Sequence, residues 1–242
     1  MDILYIVMPA YNEEEGIEKV VRDWYHVIDK LGEESRIVIA DSGSTDRTHV
    51  ILTNLKQNFP KLQILSDTQK QHGPKCIALY QYAIQMKADY IFQTDSDGQT
   101  NPDEFNKFWN ERYTYDIILG NRITRADGKL RAYIERVVCF LLKVYFGIEI
   151  PDANAPFRLM KAEAIEKYLY KIPSDYNIPN IMLAAYFAYY KESVQFRKIS
   201  FAKRTTGKNS INIKKIFAIG FRTLGDFWNF RREMRKSESD FN

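Results

Sequence analysis

The stretch YIFQTDSDGQTNP, residues 90–102, joins an apolar run to a cluster of oxygen-bearing side chains. The run at residues 90–92 has the composition of a buried strand. At its exit Asp95 and Asp97 stand one residue apart, and the amide of Gln99 follows two residues later. Carboxylate and amide oxygens are the ligands that Mg²⁺ and Mn²⁺ prefer. The stretch therefore predicts a divalent-metal site that holds a diphosphate, although the same residue types also favour a capped turn.

Strand and helix patterns alternate around this stretch. Apolar runs predict strands over residues 3–8, 36–40, 62–65, 90–94 and 116–119, and an edge strand over 194–199. Helical spacing of apolar residues predicts helices over 17–31, 44–58, 74–86, 130–148, 162–170 and 178–190. Ser44 or Thr45 is the expected cap of the second helix, Pro74 the start of the third, and residues 151–159 a loop. This alternation predicts an α/β fold with a mostly parallel central sheet and helices on both faces.

Three polar clusters follow predicted strands, at residues 9–13, 41–46 and 95–99. In parallel sheets, ligands bind beyond the carboxyl ends of the strands. The three clusters are therefore expected to meet along one edge of the sheet, as parts of one site.

Length and composition favour one large domain with an extension. The chain has 242 residues, of which 45% are hydrophobic, enough for a substantial core. We expect the domain to cover residues 1–210, followed by a basic amphipathic helix and tail over residues 211–242. The longest uncharged run, 176–190, contains Pro179 and is too short to span a bilayer. The two cysteines lack metal spacing and no signal peptide precedes the first predicted strand, so the expected location is cytoplasmic.

The basic charge is concentrated near the C-terminus. Residues 195–236 hold twelve Lys or Arg and two acids, a net charge of +10 that favours a phosphate-bearing partner. A helical stripe crosses the same region and comprises Ile213, Ile216, Phe217, Gly220, Phe221, Leu224, Phe227 and Trp228. This stripe either lies in a membrane interface or packs on the domain. Its helical spacing does not form a base-stacking platform, so no nucleic-acid partner is expected.

Six motifs together resemble the family 2 glycosyltransferases, which have the GT-A fold. In chain order they are MPAYNEEEGI (8–17), DSGSTDRT (41–48), TDSDGQ (94–99), GNR (120–122), DANAPFR (152–158) and RTTGKNS (204–210). Within the family, the chain is most similar to the dolichyl-phosphate mannose synthase and polyprenyl-phosphate sugar transferase branch. The resemblance extends from about residue 3 to residue 230. In two respects the chain is expected to depart from that branch: no transmembrane helix is expected after the catalytic domain, and residues 154–158 read NAPFR where Ser-Gly is more usual before Phe-Arg.

The resemblance implies roles for particular residues. It implies that Asp95, Asp97 and Gln99 bind Mg²⁺ or Mn²⁺. The turn after the first strand holds the base and ribose of the nucleotide, and guanidinium groups bind the donor diphosphate or the acceptor phosphate, assisted by Lys208. The implied nucleotide-sugar contacts are Pro9, Tyr11, Glu13, Asp41, Lys75, Asp95, Ser96, Asp97, Arg204 and Lys208, and the implied catalytic residues are Arg122, Asp152 and Arg158.

Several of these roles have a structural alternative. Lys75 either meets a phosphate or belongs to an ordinary turn into a helix, and Asp41 either contacts the nucleotide or supports its own loop. Asp152 is either a general base or the residue that holds Arg158 in place. A lipid phosphate is already ionised and needs no base, so the orienting role is preferred.

The resulting hypothesis is an inverting, metal-dependent glycosyltransferase that uses a UDP- or GDP-sugar donor. The preferred acceptor is a polyprenyl phosphate at the inner face of the membrane, which the protein reaches as a peripheral protein through its C-terminal helix. One alternative is transfer to a saccharide hydroxyl during cell-surface polysaccharide synthesis. Another is a non-catalytic nucleotide-sugar-binding or membrane scaffold protein. The aromatic-rich helices also allow a homodimer.

Overall fold

The computed structural model describes residues 1–125, 128–204 and 213–239. Seven strands form one sheet in the described residues: β1 Leu4–Ala10, β2 Arg36–Asp41, β3 Leu62–Leu65, β4 Tyr90–Thr94, β5 Ile117–Arg125, β6 Phe157–Lys161 and β7 Val194–Phe201. The helices are α1 Ile17–Ile28, α2 Thr48–Asn58, α3 His72–Gln85, α4 Phe105–Trp109, α5 Lys129–Phe146, α6 Ala162–Leu169, α7 Pro179–Tyr189 and α8 Ile213–Ser239. A short 3₁₀ turn, Pro102–Glu104, leads into α4.

The sheet has the order β3-β2-β1-β4-β6-β5-β7. All neighbouring pairs are parallel except those of β6, which runs antiparallel to both β4 and β5. The prediction of a mostly parallel sheet, with β7 at its edge, is therefore confirmed. The ends of β1, β2, β4 and β5 lie along one edge of the sheet, which we call the carboxyl rim. Because β6 is reversed, its first residues reach the same rim, where Phe157 pairs with Thr94.

Strand β6 corrects the predicted loop over residues 151–159, whose last three residues belong to it. Its first four residues are all buried, so the strand lacks the alternation of apolar and polar residues that marks a half-exposed strand. The prolines and polar residues just before it favour a loop locally. Pairing with β4 and β5, distant in sequence, decides the conformation.

Two predicted helix starts are also wrong. Helix α2 begins at Thr48 with Arg47 at its N-cap position, and the Asp46 carboxylate just before it accepts a hydrogen bond from the Thr48 amide at 3.0 Å. Ser44 instead donates to Asp41, and the Thr45 amide donates to Asn12. Helix α3 begins at His72, two residues before Pro74. Proline is tolerated there because amides of the first helical turn have no partner within the helix.

Helices cover both faces of the sheet, and each face has its own core. On one face Trp24 of α1 packs on Phe92 of β4 and Phe157 of β6, with ring centroids 5.2 and 6.0 Å away. The other face is covered by α3, α5, α6 and α7. Large aromatic side chains contribute much of the apolar burial in both cores. The two cores pack the sheet from both sides and so position its carboxyl rim.

The described part of α8 packs on the domain. Phe227 lies between Tyr145 and Phe146 of α5, with centroid distances of 6.0 and 5.5 Å, and Phe230 contacts Tyr176 at 5.5 Å. Within the predicted stripe, Phe227 packs on the domain and Trp228 is 61% exposed, and the side chains of its members before residue 223 lie outside the described residues. None of the described helices combines the length and the apolar character that crossing a bilayer requires.

Candidate active site

The acidic loop at residues 95–99 follows β4 on the carboxyl rim. Ser96 donates to the Pro9 carbonyl at 2.8 Å, which fastens the loop to the end of β1. The Asp97 carboxylate accepts from the Gln99 amide at 3.1 Å, and Gly98 between them has φ +71°, a conformation that favours glycine. Burial and the neighbouring charge of Asp95 raise the pKa of Asp97 to about 6. This crowding of negative charge is what a bound cation would relieve.

Gln99 joins the acidic loop to the segment after β7. Its side-chain amide donates to the Ala202 carbonyl at 2.7 Å, and its backbone carbonyl accepts from the Ala202 amide at 2.8 Å. This double link fixes the backbone two residues before Arg204. The structure therefore gives Gln99 a positioning role, and its role as a metal ligand stays a prediction.

A chain of hydrogen bonds from the protein interior ends at the Asp95 carboxylate. The Tyr80 hydroxyl donates to the Asn180 side chain at 2.7 Å, and Asn180 donates to Gln93 at 3.0 Å. Gln93 then donates to the Asp95 carboxylate at 3.2 Å. On the exposed side, His72 lies 3.4 Å from the same carboxylate. Asp95 is thus held in place from both sides, which sequence reasoning did not anticipate.

Glu13 and Arg204 form an ion pair across the rim. One guanidinium nitrogen of Arg204 lies 2.6 and 2.7 Å from the two Glu13 carboxylate oxygens. Burial raises the pKa of Glu13 to about 7, while the charge of Arg204 opposes that shift. Glu13, in the turn after β1, and Arg204, after β7, were both predicted to contact the nucleotide-sugar, and the structure brings them together.

The remaining predicted nucleotide contacts lie near the ends of β1 and β2. Lys70 and Lys75 place their ammonium groups 4.8 and 5.5 Å from the centroid of the half-buried Tyr11 ring. Asp41 is buried, accepts from Ser44 at 2.5 Å and lies 3.2 Å from His49. These contacts fit the loop-supporting interpretation of Asp41, and its nucleotide contact stays a prediction.

Lys75 joins two backbone segments at the rim, and its predicted phosphate contact stays a prediction. Its side chain is 1% exposed, and its ammonium donates to the carbonyls of Ala10 and Ser42, the latter at 2.9 Å. Burial lowers its pKa to about 8. Lys75 therefore ties the end of β1 to the residue after β2, because their carbonyls are within reach of one buried cation.

A second charged cluster joins β5, α5 and the loop before β6. Arg122 is the last residue of the GNR motif and lies within β5, next to an irregularity in the pairing of β5 with β7. Its guanidinium binds Asp152 through two hydrogen bonds of 2.7 Å. Glu135 of α5 lies 3.5 Å from the same guanidinium and accepts from the Ala153 amide at 2.8 Å. We call Arg122, Glu135 and Asp152 the arginine cluster.

The interpretation that Asp152 holds Arg158 is wrong, because the structure pairs Asp152 with Arg122. Arg158 is fully buried and donates to the backbone carbonyls of Ala153, Ala155 and Asn180. These bonds shape the loop before β6 and link it to α7. Burial lowers the pKa of Arg158, and the guanidinium acts as a brace for the backbone.

Glu135 was not identified from the sequence. It is the one acid in the 18 residues of α5, whose other charged residues are all basic, and that isolated acid was the signal the sequence offered. Lys208 lies outside the described residues. Among the described residues, no group of three or more His, Cys, Asp or Glu side chains could hold a metal ion. The fit to a cation therefore rests on the Asp95 and Asp97 carboxylates, whose charges repel each other, with phosphate oxygens completing the set of ligands.

Comparison with known proteins matches the glycosyl transferase family 2 model to residues 5–169. This chain belongs to that family. The undecaprenyl-phosphate 4-deoxy-4-formamido-L-arabinose transferase of Edwardsiella ictaluri is 23% identical over 212 residues, covering 87% of this chain and 63% of that protein. A dolichyl-phosphate beta-glucosyltransferase of Trichomonas vaginalis is 25% identical over 176 residues, covering 66% of this chain and 54% of that protein. The chain therefore spans less than two thirds of the length of these relatives.

A solved structure confirms the GT-A fold of this family 2 member. Glucosyl-3-phosphoglycerate synthase from Mycobacterium tuberculosis, in complex with Mn²⁺, UDP-glucose and glycerol 3-phosphate, superimposes with a TM-score of 0.67. The sequence identity is 16%, and the match covers 95% of this chain and 80% of that one. At that identity the likeness establishes the fold.

Proposed function

We propose that this chain transfers a sugar from a UDP- or GDP-sugar to a polyprenyl phosphate at a membrane surface. The reaction is a single displacement that inverts the anomeric carbon. The names of the relatives, which are polyprenyl-phosphate sugar transferases, support this choice of acceptor.

The observation that carries the proposal is the engagement of Asp152. Both of its oxygens accept hydrogen bonds from Arg122. A carboxylate held by a guanidinium in this way is a poor proton acceptor, since the charged pair stabilises its ionised form. A saccharide hydroxyl needs a base when it attacks, whereas a phosphate acceptor arrives already ionised. The pairing therefore favours the phosphate acceptor.

The donor half of the proposal uses the acidic loop. Asp95 and Asp97 would hold Mg²⁺ or Mn²⁺, which when bound offsets charge on the departing nucleotide diphosphate. Arg204, held by Glu13, would contact the donor phosphates. Arg122, held by Asp152 and Glu135, would contact the acceptor phosphate. Both arginines owe their orientation to carboxylates on the rim.

The test compares two acceptors in Asp152→Asn. With a polyprenyl phosphate, we expect kcat/KM to fall about tenfold, because Arg122 loses one charged partner but no base is lost. Asp116→Asn is the matched control, since Asp116 pairs with Lys161 at 2.7 Å just before β5 begins, at the other end of that strand. A loss of about 10³-fold or more with the phosphate acceptor would indicate a base and refute the proposal. Transfer by the wild type to a saccharide hydroxyl, abolished by the same change, would establish the alternative acceptor.

Donor binding is tested separately by thermal shift with UDP- and GDP-sugars and Mn²⁺. A true donor should raise the melting temperature, because it binds only the folded chain. No shift with any of these nucleotides would contradict the donor half of the proposal and would favour a scaffold role.

A further inference from the structure

Helix α5 exposes a stripe of large apolar side chains. They account for five of the twelve large hydrophobic residues that are exposed in the described part of the chain. Successive members are three or four residues apart, so they share one face of the helix. Isolated exposed apolar side chains are ordinary, but a contiguous group marks an interaction site. We call this group the α5 face: Leu130, Tyr133, Val137, Phe140 and Val144.

The opposite face of α5 packs against the core of the domain. Leu142 and Phe146 are buried in the core, and Glu135 binds the backbone of the loop before β6. The helix is therefore docked in a defined orientation. The α5 face points outward as a consequence of that docking.

Residues 223–236 of α8, whose side chains the structure describes, leave little apolar surface exposed. Phe227, Phe230 and Met234 are buried in the domain, and Trp228 is the one large hydrophobic that this part of α8 exposes. A membrane contact made by this part of α8 would have little apolar surface to insert. The α5 face has more.

The charges beside the α5 face favour one kind of partner. Arg136 and Lys143 are exposed on the same helix, and none of its described exposed positions carries an acid. Lys143 also pairs with Glu149 beyond the end of the helix at 2.5 Å. A second copy of the chain packed antiparallel on this face would bring these basic side chains close to their counterparts. An anionic lipid surface would instead attract them.

The size of the α5 face also favours a lipid surface over a second copy of the chain. Its side chains offer on the order of 500 Å² of surface, below the ~800 Å² per partner of a standard protein interface. An apolar face of one helix is sufficient for a helix lying in a membrane interface, where bases add electrostatic attraction.

We propose that the α5 face docks on an anionic lipid surface and so presents the arginine cluster to a lipid-borne phosphate. This inference rests on the proposed function, which supplies a lipid phosphate as acceptor. Glu135 of the cluster lies on the inner face of the same helix. Docking would therefore place the cluster about one helix diameter, ~10 Å, from the lipid surface.

The binding test is co-sedimentation with phosphatidylcholine vesicles that contain or lack phosphatidylglycerol. The wild type should bind the anionic vesicles, and binding should weaken at high salt. Tyr133→Ser with Phe140→Ser should lower the ratio of bound to free protein about tenfold or more. Both side chains are 63% exposed, so the melting temperature should not change. Val50→Ser with Tyr170→Ser, which removes two exposed apolar side chains elsewhere, is the matched control.

A second measurement separates failure of the docking proposal from failure of the proposed function. Transfer is assayed with a water-soluble short-chain polyprenyl phosphate and with a long-chain one in vesicles. The double variant should retain the first activity and lose the second. If the wild type transfers sugar to neither acceptor, the proposed function fails, and vesicle binding still decides the docking proposal.

Three results would overturn the docking proposal. The first is absence of wild-type binding to anionic vesicles, and the second is equal binding by the wild type and the double variant. The third is a wild-type dimer, measured by sedimentation velocity, that the double variant converts to a monomer. That result would assign the α5 face to a second copy of the chain.

Discussion

Gly73, in the first turn of α3, has no room for a side chain. A Cβ added there would lie 2.2 Å from the Tyr176 carbonyl oxygen and 2.4 Å from that of Asn177. Ordinary contact requires about 1 Å more, and both atoms belong to the backbone just before α7. Gly73→Ala must therefore push α3 away from the segment at residues 176–177.

The expected cost of Gly73→Ala is about 3 kcal/mol or more, the upper range for overpacking, because neither contact can be relieved by rotating a side chain. For a chain of this size, the melting temperature should fall on the order of 6–12 °C. Nucleotide-sugar affinity should fall as well. Lys75, two residues along the same helix, joins the ends of β1 and β2 and would move with it.

Thermal melts and urea denaturation measure the stability of Gly73→Ala, and the matched control is Gly225→Ala. A Cβ at Gly225, inside α8, meets nothing within 4 Å. Alanine should stabilise that helix by about 0.5–1 kcal/mol. A Gly73→Ala protein that melts at or above the wild-type temperature would refute the packing argument.

Three further predictions concern charged groups. Burial raises the pKa of Glu13 from 4.5 to about 7. The folded chain then binds more protons than the unfolded chain in that window, and the unfolding free energy should decrease by up to about 3 kcal/mol as pH rises through it. Glu13→Gln should remove this dependence, and parallel pH curves for the two proteins would contradict it. Arg158→Met should cost about 3–5 kcal/mol in urea denaturation because three buried carbonyls lose their donor. Arg197→Met, which breaks a half-exposed pair with Glu111, should cost under about 1 kcal/mol. Chelation with EDTA should abolish the thermal shift given by the donor, and Mn²⁺ should restore it for the wild type but not for Asp97→Asn. A donor-induced shift that survives chelation would argue against the metal.

Local sequence patterns predicted most of the elements. The apolar runs of β1, β2 and β4 are long enough to indicate buried strands, and helix α1 has its apolar residues on one face. Helix α4 was not predicted, because its five residues are too few to establish a helical period. Strand β6 was missed for a different reason. Its neighbours in the sheet supply the pairing, while its own sequence carries local signals for a loop.

The candidate site divides in the same way. The sequence identified Glu13, Asp97, Arg122 and Arg204 as polar residues next to strands or in matching motifs. It did not identify their partners. Arg204 pairs with a residue 191 positions away, and Arg122 pairs with one 30 positions away. Such pairs depend on the order and direction of the strands.

The amino-acid sequence by itself determined the strand–helix alternation, the acidic loop after β4 and the family motifs, because each is a short pattern set by local geometry and residue chemistry. Only the tertiary structure decided that β6 runs antiparallel and brings the Asp152 loop to the carboxyl rim. It also decided that Lys75 and Arg158 brace the backbone, and that α5 exposes its apolar face. These outcomes depend on how all the strands and helices pack together, which joins residues distant in sequence. A local sequence pattern does not contain that information.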